Sequence, residues 1–291
     1  MKLHHIALTI FICIIWGLNF VIGKNAVMYF PTFFMLAVRL TLVGIILLPF
    51  IKKPEVPFKD LVQIAVIFTV LHFGAMFLAL EKGLDSSVAV VVDQMRVPFA
   101  VALGYFLLNE KVGRKAVLGI AIAITGTFVI VGTPNVVENY PAFWMLIFSA
   151  ASWAVYNIKI KNMREIDPIS FIGWMSIIGA PMLYIISFIY EGNNFHLLVD
   201  APIDAYASLL YIAFAATIFA HGIWYYLLKR YDVGKIVPYS LLVPVFGIAA
   251  GVIFANEQLT VNVIIGAFLT IMGVAIVFIK NPRSGLAGEE I

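Results

Sequence analysis

The chain has 291 residues, 63% of them hydrophobic and only 12% charged, with a formal net charge of +3. So apolar a composition excludes a soluble globular domain and reads as an integral membrane protein. The single cysteine, Cys13, excludes an internal disulfide and any multi-cysteine metal or iron–sulfur centre.

Crossing a hydrocarbon core of about 30 Å takes about 20 consecutive apolar residues. Ten windows meet that need, at 5–23, 31–51, 61–80, 86–108, 115–132, 141–158, 168–190, 205–228, 235–255 and 261–279. The first lacks the small-residue cleavage site of a signal peptide and is read as a retained helix. Turn prolines such as Pro31, Pro57, Pro134, Pro168 and Pro202 mark the short connections. Only the connection after the seventh window, EGNNFHLLVDAPID, is long enough to form a small cap. The expected fold class is an all-α integral membrane protein of ten transmembrane helices.

Charge gives the orientation. Of the 19 lysines and arginines, one set of alternate connections holds all but four: Lys24 and Lys82 lie on the other side, and Arg39 and Arg96 lie inside windows. By the positive-inside rule both termini face the cytoplasm. One window more or fewer would scramble this asymmetry.

The second half repeats the first. Asp85 and Asp232, Glu110 and Glu257, Gly119 and Gly266, and Gly126 and Gly273 are each 147 apart, while Trp16 and Trp153, and Pro31 and Pro168, are each 137 apart. The chain therefore divides at 1–134 and 135–291 into two five-helix repeats of opposite membrane orientation. Inverted repeats of this kind are typical of secondary transporters, whose substrate site lies near the midplane between the halves.

The fourth window carries the costliest residues. Asp93 and Arg96 lie in its middle, where each costs roughly 2.5–3.5 kcal/mol on insertion scales, so such residues usually face a bundle interior or a watery cavity. Helical spacing puts Ala89, Asp93, Arg96, Ala100 and Gly104 on one working stripe and leaves Val90, Val91, Val92 and Phe106 to face lipid. The 147 offset lays this stripe over Ile236, Ser240, Val243, Gly247 and Gly251. Pro98 and Pro244 interrupt the two helices as candidate hinges.

Arg96 is a candidate carboxylate clamp, with Asp93 holding an amino group or exchanging a proton; the alternative is an internal ion pair. Arg39 is a candidate partner for Asp93, or else structural. His72 and His221, in equivalent windows, are candidate proton relays or packing residues. Trp16 and Asn19, set against Trp153, Tyr156 and Asn157, share helix faces and suit an aromatic-lined site, to which Trp224, Tyr239 and Ser240 are further candidates. Glu110 and Glu257, at opposite membrane faces, are read as caps or gates pairing with lysines such as Lys111.

Three stretches carry a family likeness: Trp16-Gly17-Leu18-Asn19-Phe20; the Leu-Leu-Asn-Glu-Lys run ending at Lys111, with Gly119 and Gly126 after it; and Leu242-Val243-Pro244 through Asn256-Glu257. In them the chain resembles the EamA family of the drug/metabolite transporter superfamily, and through Gly222-Ile223-Trp224, Leu228-Lys229-Arg230-Tyr231 and Leu241-Leu242-Val243-Pro244 it resembles in particular the family's amino-acid metabolite exporters of the O-acetylserine and cysteine type. The resemblance implies a secondary exporter of amino acids or related metabolites in a bacterial inner membrane. It implies a small-molecule substrate and the lipid bilayer as partners, with no nucleic acid and no cofactor; with no ATP-binding motif in the sequence, the expected energy source is a proton or solute gradient. Two features depart from the pattern. Pro98 sits twelve residues before Glu110 whereas Pro244 sits thirteen before Glu257, and Asp93 and Arg96 stand where those exporters are uncharged.

There is no phosphate-cradling glycine loop, His-x-x-x-His metal pair or Gly-x-Ser-x-Gly nucleophile motif, so no enzyme chemistry or metal site is expected. An importer or exchanger of another polar or drug-like solute, and a passive channel, are the competing readings.

Overall fold

The computed structural model describes residues 1–52, 56–108, 112–161, 167–228, 230–231 and 236–278. Among them there is no strand, and ten helices are long and apolar enough to cross a membrane. They are α1 (Leu3–Tyr29), α2 (Thr32–Phe50), α3 (Phe58–Glu81), α4 (Ser86–Leu107), α5 (Arg114–Val131), α6 (Tyr140–Ile160), α7 (Pro168–Tyr190), α8 (Ile203–Trp224), α9 (Pro238–Ala255) and α10 (Val261–Phe278).

Helix α1 runs past its expected end at residue 23. Lys24 and Asn25, the polar residues just past it, both find partners elsewhere in the chain. Lys24 meets two carboxylates, and the Asn25 amide donates to the Ser208 hydroxyl at 2.9 Å. The connection after α7 does form a cap. It contains a short helix, Leu197–Asp200, and Phe195 packs its ring between Phe34 and Tyr184, with centroids 5.4 and 5.6 Å away.

The halves are interleaved. Helix α1 packs against α8 and α9, while its counterpart α6 packs against α3 and α4, so each half's first helix is embedded in the other half. Helix α2 packs on α7, and α5 on α10. The last pair depends on the repeated glycines. A Cβ on Gly119 would lie 2.5 Å from the Gly273 carbonyl oxygen, and one on Gly126 would lie 2.7 Å from that of Gly266. Small residues allow such backbone approach where lipid supplies no hydrophobic drive.

Two pairs of irregular turns mark the repeat. Helix α4 is broken by a 3₁₀ turn at Asp93–Met95, and α9 is preceded and entered by one at Val237–Leu241. Each turn contains the residue four before a proline, Gln94 before Pro98 and Ser240 before Pro244. A proline supplies no N–H to that carbonyl and its ring crowds it, so the backbone tightens there. Under the 147 offset the first turn falls on 240–242, and the second turn ends one residue earlier, at Leu241, in step with the one-residue difference in proline spacing. The second pair is a widened π turn over nine residues, Val66–Gly74 in α3 and Tyr211–Phe219 in α8. These turns lie 145 residues apart, in equivalent helices.

One expectation for α4 does not hold. Val90, Val91 and Val92 are fully buried rather than lipid-facing. Val90 fills the space above Gly247 of α9, where a Cβ would come within 2.9 Å of it. The lipid-facing side of α4 is confined to its far end, where Tyr105, Phe106 and Leu107 are exposed.

Candidate functional site

Asp93 and Arg96 pair with each other. The Arg96 Nη1 donates to Asp93 Oδ2 at 2.8 Å, with Asp93 almost wholly buried. The 3₁₀ turn brings the two side chains together one helical turn apart, and the Arg96 guanidinium also lies over the Trp153 ring at 5.6 Å. From there a run of rings crosses the bundle. Trp153 is 5.0 Å from His72, His72 is 4.8 Å from Phe73, and the Arg39 guanidinium lies 4.4 Å over Phe73. Phe68 and Tyr156 stack beside this run at 4.4 Å. Two guanidinium groups therefore stand at opposite ends of one aromatic wall.

Arg39 does not pair with Asp93, whose carboxylate Arg96 occupies. It is 2% exposed and donates through Nε and Nη2 to the Thr217 hydroxyl, at 3.1 and 2.8 Å. Its Nη1 has no hydrogen-bond partner. Thr217 in turn donates to the Ile212 carbonyl at 2.7 Å, five residues back, the spacing of the π turn in which both lie.

The inverted repeat gives this wall a counterpart. Trp16 of α1 lies 5.1 Å from His221 of α8 and 5.2 Å from Trp224, mirroring the contact of Trp153 with His72. Both histidines are tied through Nδ1. His72 lies 2.8 Å from the Ser149 hydroxyl, and His221 lies 2.8 Å from the Ala216 carbonyl, which also accepts from the Trp16 indole at 3.2 Å.

Between the two aromatic groups lies a small cavity bordered by Arg39, Phe73, Tyr156, Ser176, Thr217 and His221. Its free space is about 20 Å³, enough for a single water molecule. Both halves contribute to it, as the midplane site of an inverted-repeat transporter requires.

The remaining expected residues are placed less centrally. Asn19 is buried with its Oδ1 unpartnered. Asn157 donates back to the Trp153 carbonyl at 2.9 Å and so serves its own helix. Tyr239 and Ser240 lie in the 3₁₀ turn leading into α9, where the Tyr239 carbonyl accepts from Cys13 at 3.2 Å. Pro98 and Pro244 are buried within α4 and α9. Glu110 and Lys111 lie outside the described residues.

Glu257 is placed at the end with few lysines. Asn256 ends α9 in the left-handed region at φ 52°, a conformation asparagine tolerates, and this turns Glu257 back into the bundle. There its carboxylate accepts from the backbone N–H groups of Ser86 and Ser87 at 2.7 and 2.9 Å, capping α4. It also accepts from the Ser86 hydroxyl at 2.8 Å. Lys24 of α1 bridges Glu257 at 3.1 Å and Asp85 at 3.0 Å. Burial pushes the Glu257 carboxyl up, but the donors from Ser87, Lys24 and Ser86 outweigh it and hold the group below the usual carboxylate range. Burial of Asp85 raises its carboxyl despite Lys24. Three helices, α1, α4 and α9, are thus clasped at this end.

Sequence reasoning missed Thr217, Phe73 and the role of Lys24. Thr217 gives no local signal, because its value comes from a guanidinium 178 residues away. Lys24 did give one, being one of only two lysines on the charge-poor side.

Comparison with known proteins fits this architecture. The EamA-like transporter family matches residues 4–132 and 141–279. A protein of Salmonella typhimurium named "Probable amino-acid metabolite efflux pump" is 32% identical over 278 residues, covering 92% of this chain and 93% of that protein. An Escherichia coli protein of the same name is 31% identical over 277 residues, with the same coverage. One solved crystal structure superposes with a TM-score of 0.66 at 17% identity, over 92% of this chain and 94% of its own, which speaks for the fold alone. With its ten helices and two matched segments spanning nearly the whole sequence, the chain belongs to the EamA-like transporter family.

Proposed function

We propose that this protein is a secondary active exporter of amino acids or closely related small metabolites. It works in a bacterial inner membrane with both termini in the cytoplasm, by alternating access between its two inverted five-helix halves. The observation that carries this reading is the cavity where Arg39 of the first half meets Thr217, His221 and Tyr156 of the second. A largely apolar, aromatic-walled space with a few polar groups, at the interface of inverted repeats, is the place for a small amphipathic solute. The names of the two efflux relatives support the substrate class and the direction.

The cavity admits only about one water, so solute entry requires the halves to move apart around it. The clasp of Lys24, Asp85 and Glu257 closes the charge-poor end in this conformation, and it has to release in another. Within the site, Asp93, Arg96, Trp16, His72, Trp153, Tyr156, His221 and Trp224 surround the solute. Pro98 and Pro244 take up the bending of α4 and α9, and protons are the coupling ion.

The test is counterflow in proteoliposomes with labelled amino acids, beginning with cysteine and O-acetylserine. Saturable uptake driven by unlabelled solute inside supports the reading. Flux rising linearly with concentration points to a channel, and no exchange with any amino acid overturns the substrate class.

A further inference from the structure

We infer that Arg39, and not Arg96, is the carboxylate receptor of the transport site. The inference rests on the proposed function for the location of the solute, but it concerns any carboxylate the protein carries. The two guanidinium groups at the ends of the aromatic wall differ in one respect. Arg96 is neutralised by Asp93 at 2.8 Å. Arg39 is buried to 2% exposure, and no ion pair among the described residues includes it. An arginine keeps its charge in proteins, and a buried charge is costly unless it is paired.

Everything around Arg39 holds the group without neutralising it. Thr217 fixes Nε and Nη2, Phe73 lies under the guanidinium plane, Nη1 has no hydrogen-bond partner, and the residue borders the cavity. A planar fork with one edge anchored and a further N–H left over is suited to one carboxylate oxygen or a bidentate approach after a small turn.

The repeat shows that the fold does not need this charge. Pro31 and Pro168 are equivalent, and the residue equivalent to Arg39 by that same offset of 137 is Ser176. Ser176 borders the same cavity and satisfies itself by donating to the Ile172 carbonyl at 2.8 Å. The second half thus fills the matching position, on the other side of the α2–α7 contact, with a neutral residue. A single uncompensated positive charge in a pseudo-symmetric cavity selects for an anion. A zwitterion bound there would lay its carboxylate on Arg39 and its ammonium group toward Asp93 and the rings between.

The test uses purified full-length protein in detergent and reads ligand-induced thermal shifts. The probes are L-cysteine, O-acetylserine, lactate, pyruvate and succinate, each beside its methyl ester or amide. Wild-type protein should bind at least one acid about ten- to a hundred-fold more tightly than its uncharged analogue, the size of a charge-assisted hydrogen bond. Arg39→Gln should bring that acid down to the level of its analogue while leaving the analogue's binding unchanged. Arg39→Lys should restore part of the preference, and Arg96→Gln, whatever it does to the affinity for both members of a pair, should not bring the acid down to its analogue. Equal wild-type binding of every acid and its analogue overturns the inference, whether or not any variant folds. So does a preference that survives Arg39→Gln and disappears in Arg96→Gln. Binding of lactate, pyruvate or succinate in place of the amino acids leaves Arg39 as the receptor and overturns the amino-acid substrate class instead.

Discussion

Arg39 of the first half and Thr217 of the second are joined by two hydrogen bonds to one hydroxyl, at 3.1 and 2.8 Å, across the interface of the inverted repeats. This link orients the guanidinium, and Thr217 is itself held by donating to the Ile212 carbonyl within the π turn. Removing the hydroxyl strands two more N–H groups of a buried cation. Thr217→Val should therefore cost about 1–3 kcal/mol of stability and weaken binding of carboxylate solutes, whereas Thr217→Ser should retain both. Thermal unfolding in detergent checks the first effect and counterflow half-saturation the second.

The clasp at the charge-poor end makes a separate prediction. Lys24→Met leaves the buried Glu257 and the half-buried Asp85 carboxylates without their shared cation, so α1 should separate from α4 and α9 at that end. A cysteine placed at Ser87 in a Cys13→Ser background, buried in the native clasp, should react several-fold faster with a membrane-impermeant thiol reagent when Lys24 is replaced. An unchanged rate would mean that packing alone closes this end.

Acid should act on the same contact in a defined direction. Glu257 titrates below the ordinary carboxylate range in the folded protein, so it contributes stability that is present above that range and lost as pH falls through its lowered value. Asp85 has the opposite sign. Its raised carboxyl favours the folded state when protonated, a contribution lost as pH rises through its shifted value. The stability difference between wild type and Glu257→Gln should be full at neutral pH and vanish in acid below the usual carboxylate range. A difference that grows with acidification would contradict the assignment.

Two glycine substitutions separate the clasp from general helix stability. A Cβ on Gly251 would lie 2.5 Å from Glu257 Oε2, so Gly251→Ala should dislodge the carboxylate and reproduce the Glu257→Gln phenotype. Gly222 has nothing within 4 Å of its would-be Cβ. Gly222→Ala should be neutral or add about 0.5–1 kcal/mol through helix propensity. Unfolding temperatures of the two variants decide this together.

The fold was largely legible because membrane insertion imposes long apolar windows and alternating charge, and both can be counted from the sequence. The kinks of α4 and α9 were legible for the same kind of reason, since a proline always deprives the residue four before it. The site was legible in part. Asp93 and Arg96 stood out by their cost, but their mutual neutralisation is a matter of rotamer and turn geometry that spacing alone left open. Arg39 looked secondary because its partners, Thr217 and Phe73, lie on helices far apart in sequence and are joined only by the interleaved packing. The π turns of α3 and α8 left no signal, since their residues are as apolar as those of any regular span.

The most direct measurement is a structure of the protein determined with a transported amino acid bound. Its carboxylate should lie about 3 Å from Nη1 of Arg39, between Phe73 and His221, in a cavity wider than the present one. Solute density at the Asp93–Arg96 pair with Arg39 still bonded only to Thr217, or density outside the interface of the two halves altogether, would contradict that placement.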